Sequence, residues 1–363
     1  MKKKILQLKP NSRFHFGKPL VDSDTSLTDT DTYLHSDVLF SALVNNLASV
    51  RSKEGVDEFI NAFESGKIKI SSAFYCIKHN NDFIYLVPRP VNVVNQVDLN
   101  KYDQIKIIKK IQFVEVDLLG KPLDEWFCGG NLALSKATVE RLGLIQKKNT
   151  LLKIVEDTQE LRFSLFQKKL NTQVGLRSMK EEKIKENGEE LSYIMPKGPY
   201  NISYIQIADL SELDELSIHF YFMYTIEEEK YVTDFDLAVD LLKYNGIGGE
   251  RSSGYGQIDA VINADDEELS KRNNSAKMFL SLSKIIPADT EELEKIEAYT
   301  HTLRGGRHTG NQKLKCVRMI NEGALLTSEI KGHIEDISSD NNRFYLRYGK
   351  AFLLPLPDTF KID

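Results

Sequence analysis

Eleven residues, Gly246-Ile247-Gly248-Gly249-Glu250-Arg251-Ser252-Ser253-Gly254-Tyr255-Gly256, restrict the fold more than any other stretch of the chain. Five of them are glycine, against 21 in all 363 residues. Glycine takes positive φ freely and lets another backbone come close. An apolar-periodic stretch, Phe235 to Tyr244, leads in, and an alternating one, Gln257 to Ile262, leads out. The order is therefore helix, glycine loop, strand. Two common nucleotide loops run the other way, from strand into helix, and the spacing matches neither G-x-x-x-x-G-K-[ST] nor G-x-G-x-x-G after a strand. What remains is backbone N–H groups, two serine hydroxyls and the Arg251 fork, a set suited to a phosphodiester backbone. A structural turn needs one or two glycines, so five argue for a ligand held against the main chain.

The length allows one large domain or two smaller ones. A hydrophobic content of 41% and a charged content of 28% fit a globular chain. No apolar run approaches the roughly 20 residues that span a bilayer. The basic start, Met1-Lys2-Lys3-Lys4, precedes a stretch too short and polar for a signal sequence, so a first strand over Lys3 to Leu8 and a cytoplasmic location are expected. Cys76, Cys128 and Cys316 form no C-x-x-C pair and read as free thiols of a reducing compartment. The net charge of −5 counts against a generally basic nucleic-acid binder. A local basic groove survives it if the acidic runs, such as Glu227-Glu228-Glu229 and Asp265-Asp266-Glu267-Glu268, lie elsewhere.

Taken in order, Lys9 to Leu34 forms a long loop carrying Arg13-Phe14-His15-Phe16-Gly17-Lys18. Ser36 is placed to cap a helix whose apolar face holds Leu39, Leu43 and Leu47. Val56 to Phe63 reads as a second helix, and Lys67 to Ile77 with Asp82 to Val87 as a hairpin turning at Asn80-Asn81. Residues 91–160 have no clear period; Leu123 to Cys128 and Lys136 to Leu142 suggest short helices. Residues 161–207 suggest an extended hairpin with a charged tip. Leu216 to Thr225 is a strand, and Thr233-Asp234 is placed to cap the helix before the glycine loop. With insertions set aside, residues 1–262 run β-α-β-β-α-β, the ferredoxin-like order. After a polar linker, strand candidates from Ala276 onward begin a smaller domain over 275–363.

These stretches resemble the RAMP superfamily of CRISPR-associated RNA-binding proteins. More narrowly, they resemble the subunit of the type III-A (Csm) effector complex that caps the 5′ end of the guide RNA. The resemblance rests on Phe14-His15-Phe16-Gly17, His35 to Leu43, the glycine loop, Met319 to Ala324 and Gly332-His333-Ile334. It implies an α+β fold of two ferredoxin-like domains with a thumb-like hairpin, its arms at Asn171 to Met179 and Leu191 to Tyr200. It implies a non-catalytic role without cofactors. The partners would be the 5′ handle of the crRNA, the large polymerase/cyclase-like subunit, a backbone RAMP subunit and target RNA near the hairpin. The acidic balance and the unclear region 91–160 depart from the pattern.

The candidate RNA contacts are Arg13, Phe14, His15 and Phe16; Ser36 at a helix start; Arg177 and Lys197 on the hairpin; and Arg304 and Arg307 in the basic stretch Leu303 to His308. The glycine loop adds Gly246, Gly248, Gly249, Arg251, Ser252, Ser253, Gly254, Tyr255 and Gly256. Each has a plainer alternative. Arg251 would pair with a carboxylate, His15 would sit against the core, and Ser36 with Asp37 would only cap the helix. Phe220, Phe222 and Tyr224, on one strand face, read as core packing before a stacking platform. His301 and His308 lack partners for a metal. The rival function is a metal-independent endoribonuclease processing repeat RNA, with His15 as base.

Overall fold

The computed structural model describes residues 1–18, 27–96, 102–155, 159–173, 179–186, 189–196, 199–213, 216–264, 276–305, 314–338 and 345–360. Arg177, Lys197 and Arg307 lie outside them.

The chain opens with β1 (Lys2–Gln7) and the short β2 (Arg13–Phe14). Helices α1 (Ser36–Ala48) and α2 (Lys53–Glu64) follow, then β3 (Ile68–Ile70), β4 (Phe74–His79) and β5 (Asp82–Pro88). Leu39, Phe40, Leu43 and Leu47 bury one face of α1, each such side chain contributing roughly 1.5–3 kcal/mol. Its N-cap is His35, not Ser36, and no side chain caps it. The Ser36 amide donates instead to Ser72 Oγ at 2.8 Å, and Ser36 itself is fully buried. In α2, Ser52 Oγ accepts from the Gly55 amide, the expected capping arrangement. Asn80, at φ 55°, turns β4 into β5.

The region without a clear period is a string of short elements. Ile105 to Leu119 divides into a helix, Tyr102–Lys110, and a strand, Phe113–Glu115. Leu123 to Cys128 is a 3-10 turn and a strand rather than a helix, while Ser135 Oγ caps the helix Lys136–Arg141. Gln159–Arg162 pairs back on Thr150–Val155, so Leu161 belongs to this earlier sheet and not to the strands that follow. The described residues of the expected hairpin stretch hold β6 (Phe166–Gln173), β7 (Met179–Glu186), β8 (Glu189–Pro196) and β9 (Tyr200–Ile207). β6 pairs β9 from Phe166↔Ile207 to Gln173↔Tyr200, β7 pairs β8, and β2 adds to β9 through Phe14↔Ile205.

Next come β10 (Leu216–Ile226), α3 (Val232–Asp240), the one-turn α4 (Leu242–Asn245) and β11 (Ala260–Ala264). Tyr231 precedes α3 without a side-chain cap. Asp234 lies in the first turn, where the helix dipole favours it, and pairs with Arg51 at 2.8 Å. The frame of this lobe is the antiparallel order β11-β1-β10-β4, continued by β5 and the insertion strands. Both faces of β10 are buried. Phe220 meets Phe14 and Tyr75, Phe222 and Tyr224 meet Phe235 of α3, and Tyr221 meets Tyr85. The three aromatics at alternate positions are therefore core packing.

The C-terminal part holds β12 (Phe279–Ser281), α5 (Thr290–Glu294), β13 (Ile296–Ala298), β14 (His301–Arg304), β15 (Val317–Ile320), β16 (Leu325–Leu326), β17 (Gly332–Asp336), β18 (Leu346–Lys350) and β19 (Leu353–Pro355). Its sheet runs β13-β16-β12-β19, antiparallel throughout, with β14–β15 and β17–β18 as separate hairpins. Numbered within each sheet, the two frames have the same spatial order. The second crossover of this one carries the β17–β18 hairpin where the first lobe has α3. The larger hydrophobic core is continuous across the lobes. Phe40 stacks on Tyr348 at 5.2 Å, and the Ile70 amide donates to Tyr348 Oη. A smaller core gathers Ile285, Ile320, Ala324 and Leu326.

Candidate nucleic-acid interface

The glycine loop is fastened along β2 and the residue that follows it. The Gly256 amide donates to the Arg13 carbonyl at 2.7 Å, Gly249 to His15 at 2.9 Å, and Ile247 to Gly256 at 2.8 Å. Packing explains most of the glycines. A Cβ on Gly256 would lie 2.1 Å from the Ile247 carbonyl oxygen, on Gly248 2.7 Å from that of His15, and on Gly246 2.8 Å from that of Gly256. On Gly249 it would meet the His15 ring at 2.8 Å. The surplus that pointed to a ligand is thus largely required by the protein's own backbone. Gly254 differs: it needs only its φ of 82° and faces open space.

The exposed crest of the loop has another property. Glu250 is left-handed, at φ 56° and ψ 27°, and the right-handed turn Arg251–Ser253 follows. Such an alternation turns successive amides toward one point and makes an anion-binding concavity. The amides of Ser253, Gly254 and Tyr255 are used within the turn. Among the described residues, those of Glu250, Arg251 and Ser252 have no acceptor, and the Ser252 and Ser253 hydroxyls have no partner. Arg251 is exposed, donates once to the Asn245 carbonyl at 3.2 Å and, among the described residues, pairs with no carboxylate.

Other candidates move to the interior. Phe14 and Phe16 are core residues stacked at 5.7 Å, because alternation along an extended segment turns both inward. His15 is 4% exposed, its Nδ1 2.6 Å from the Ser203 carbonyl oxygen. Its ring is mostly withdrawn from solvent, at the edge of a groove beside α1. Tyr255 is buried edge-on to Tyr204 at 5.3 Å, its hydroxyl unpaired. Arg13 remains at the surface, its guanidinium 5.7 Å from the Tyr204 ring centroid.

Arg304 belongs to a buried ion network between the lobes. Its Nε and Nη2 reach the Asp37 carboxylate at 3.1 and 3.3 Å, and its Nη1 reaches Asp31 at 3.1 Å. Arg347 donates to Asp37 at 2.8 Å. His35 bridges Asp31 at 3.0 Å and Glu322 at 2.8 Å; Lys284 Nζ stands 3.6 Å from Glu322. Burial alone would raise the Asp37 pKa, but Arg304 and Arg347 hold it far below the carboxylate range. Burial would raise Glu322 too, and His35 and Lys284 overcome it. Burial would lower His35, yet Glu322 and Asp31 leave it raised. Ser36 Oγ accepts from the Lys284 amide in the same junction. Ser36 and Arg304 therefore join the lobes; Ser36 is fully buried, and Arg304, itself buried, reaches the edge of the groove beside α1.

Two grooves flank the loop, each of about 460 Å³. One is lined by Lys9, Arg13, Lys243, Tyr244, Arg251 and Tyr255, among others, and the other by His15, Ser41, Asn45 and Gly249 with the α1 face. Tyr244, 81% exposed, was counted on the apolar face of the preceding helix in the sequence, but α4 ends within one residue of it and leaves the ring outside. Among the described residues no three His, Cys, Asp or Glu side chains gather as a metal site. None of their helices is long and apolar enough to cross a membrane.

With this geometry in view, three comparisons bear on identity. A family model described as the CRISPR Csm4 C-terminal domain matches residues 274–356. A Methanocaldococcus jannaschii protein, described as CRISPR system Cms protein Csm4, is 27% identical over 98% of this chain and 97% of its own length. A chain of a Csm3-Csm4 subcomplex from the type III-A CRISPR-Cas interference complex superposes with a TM-score of 0.65 at 22% identity. That match covers 98% of this chain and 99% of its own length. A chain of a Csm1-Csm4 cassette in complex with cA4 gives 0.53 at 15%, covering 98% of each. Fold and relatives together define a RAMP-type subunit of a type III-A CRISPR-Cas effector complex. Within that class, the proteins it is similar to are Csm4 subunits, by its C-terminal part in the family model and along its length in the archaeal relative.

Proposed function

We propose that this chain is a non-catalytic subunit that holds the repeat-derived 5′ handle of the crRNA. In this reading it also joins the large polymerase/cyclase-like subunit to the first backbone RAMP subunit. Both four-strand frames are ferredoxin-like, divided near residues 262 and 275, and the β6–β9 hairpin is a thumb set beside the guide–target duplex. The partners follow from the relatives, which were solved as Csm3-Csm4 and Csm1-Csm4 assemblies. The observation that carries RNA binding is the crest of the glycine loop. Three unspent amides, two free hydroxyls and an exposed, unpaired guanidinium converge there on one turn. Amides and an arginine fork fix a phosphate without reading a base, which suits a subunit that positions one end of a strand.

The test is titration of the full chain with labelled handle RNA at several salt concentrations. Arg251→Glu replaces a charge-assisted contact with repulsion and weakens binding by roughly 1–3 kcal/mol. The slope of log K against log salt also falls by about one. Unchanged affinity and slope would remove the loop from the RNA path.

A further inference from the structure

We propose that the groove on the Lys9–Arg13 side of the glycine loop is a stacking subsite for one nucleotide of single-stranded RNA, with the Tyr244 ring as its platform. The inference rests on the loop reading above and adds a base to what was a backbone contact.

Tyr244 is the most exposed large side chain of apolar character among the described residues. A lone exposed aromatic is ordinary. The company of this one is not. It shares its groove with Lys9, Arg13, Lys243 and Arg251, against one carboxylate, Asp259. Lys9 is spent on Asp259 at 2.9 Å, and Lys243 stands 3.5 Å from Asp240. Arg13 and Arg251 make no ion pair among the described residues, so both forks are open to phosphate. Tyr255 lines the same groove, and its hydroxyl, buried behind the surface, has no hydrogen-bond partner among the described residues. An unsatisfied buried hydroxyl is costly, and a ligand oxygen or base edge arriving there would satisfy it. The volume of about 460 Å³ admits one nucleotide. The opposite groove, beside α1, has no exposed aromatic in its lining. The base therefore enters on the Tyr244 side, with its phosphate toward Arg251 and Arg13. Stacking tolerates any base, since each has a π-face, so this subsite adds affinity without sequence choice.

An exposed tyrosine beside arginines also suits a protein partner. The cationic lining and the unpaired hydroxyl favour RNA, and the experiment separates the two. The full chain, as Tyr244→Ala and Tyr244→Phe, is titrated by fluorescence anisotropy with a labelled 12-nucleotide single-stranded RNA of mixed sequence. A 12-mer of the same backbone with abasic sugars is run alongside. Because the side chain is mostly in solvent, the fold is expected to survive its loss. Tyr244→Ala should bind the RNA roughly 5- to 150-fold more weakly, with Tyr244→Phe close to wild type. On the abasic strand all three should bind alike, while Arg251→Glu weakens both ligands. Tyr244→Ala binding RNA like wild type, with or without loss of a protein partner, overturns the subsite. Equal losses on both strands overturn it too. In either case an intact Arg251 effect leaves the handle reading standing, and its absence removes both.

Discussion

Arg304→Met keeps the length of the side chain and removes its charge from the lobe junction. The side chain is 5% exposed and makes two bonds to Asp37 and one to Asp31. Its loss leaves the fully buried Asp37 carboxylate to Arg347 alone and Asp31 to His35 and Lys18. Breaking a buried ion pair costs about 3–5 kcal/mol, because the remaining charge keeps its desolvation penalty. Arg347 still answers Asp37, so the lower end, about 3 kcal/mol, is expected. Urea unfolding of the full chain, followed by circular dichroism and by the fluorescence of the single tryptophan, Trp126, measures it. Asp37→Asn combined with Arg304→Met should cost less than the two changes summed, since the pair shares one interaction. RNA affinity and its salt slope should stay at wild-type values wherever the variant is folded. Stability within about 0.5 kcal/mol of wild type, together with a salt slope lowered by one, would refute the reasoning and return Arg304 to the RNA surface.

Two further outcomes follow from the loop and from a buried histidine. Gly256→Ala forces a Cβ toward the Ile247 carbonyl and should lower the melting temperature. Gly254→Ala meets only a φ penalty of about 1 kcal/mol and should melt close to wild type, as calorimetry of the two would show. The glycine whose replacement best reports on RNA is therefore Gly254. His219 accepts the Leu8 amide at Nδ1, and burial, then Lys78, depresses its pKa from 6.5 to about 4. The unfolded chain binds that proton first, so this contribution is complete above pH 6.5 and drains as pH falls toward 4. It amounts to roughly 3 kcal/mol when fully lost. His219→Asn should flatten the stability profile between pH 7 and 4.5, and an unaltered slope would count against the assignment. His35, with its pKa raised, has the opposite sign: its share is lost as pH climbs past the folded value.

What could be read in advance was local. The spacing of Leu39, Leu43 and Leu47 made α1 visible, the paired asparagines marked the β4–β5 turn, and the run Leu216 to Thr225 could hardly be anything but a strand. Long-range partnership was not visible. Arg304 sits in a run of basic and glycine residues that looks like surface, and its carboxylates are 267 and 273 residues away in the chain. Three-residue strands such as Phe113–Glu115 carry too little pattern to declare themselves, and that one pairs in parallel with Leu132–Leu134. The glycines were legible as close approach, but the approaching backbone proved to be that of residues 13–16. Phe14 and Phe16 did carry a usable signal, since alternate aromatics in an extended segment share one face. Tyr244 reads as the end of an apolar helix face because a helical period has no mark for the residue at which the helix stops.

Strand β1 lies between β10 and β11 in the middle of its sheet, with Leu6 facing Phe220 on one side and Val261 on the other. Strand β1 is thus synthesised well before either of the strands that enclose it. It must wait, with its edge groups open, until more than two hundred further residues have been made. Distant strand pairing of this kind is slow and prone to association while incomplete. A growing chain of this protein therefore depends on its nascent state staying unaggregated until the helix, loop and strand near residue 260 emerge to close the sheet.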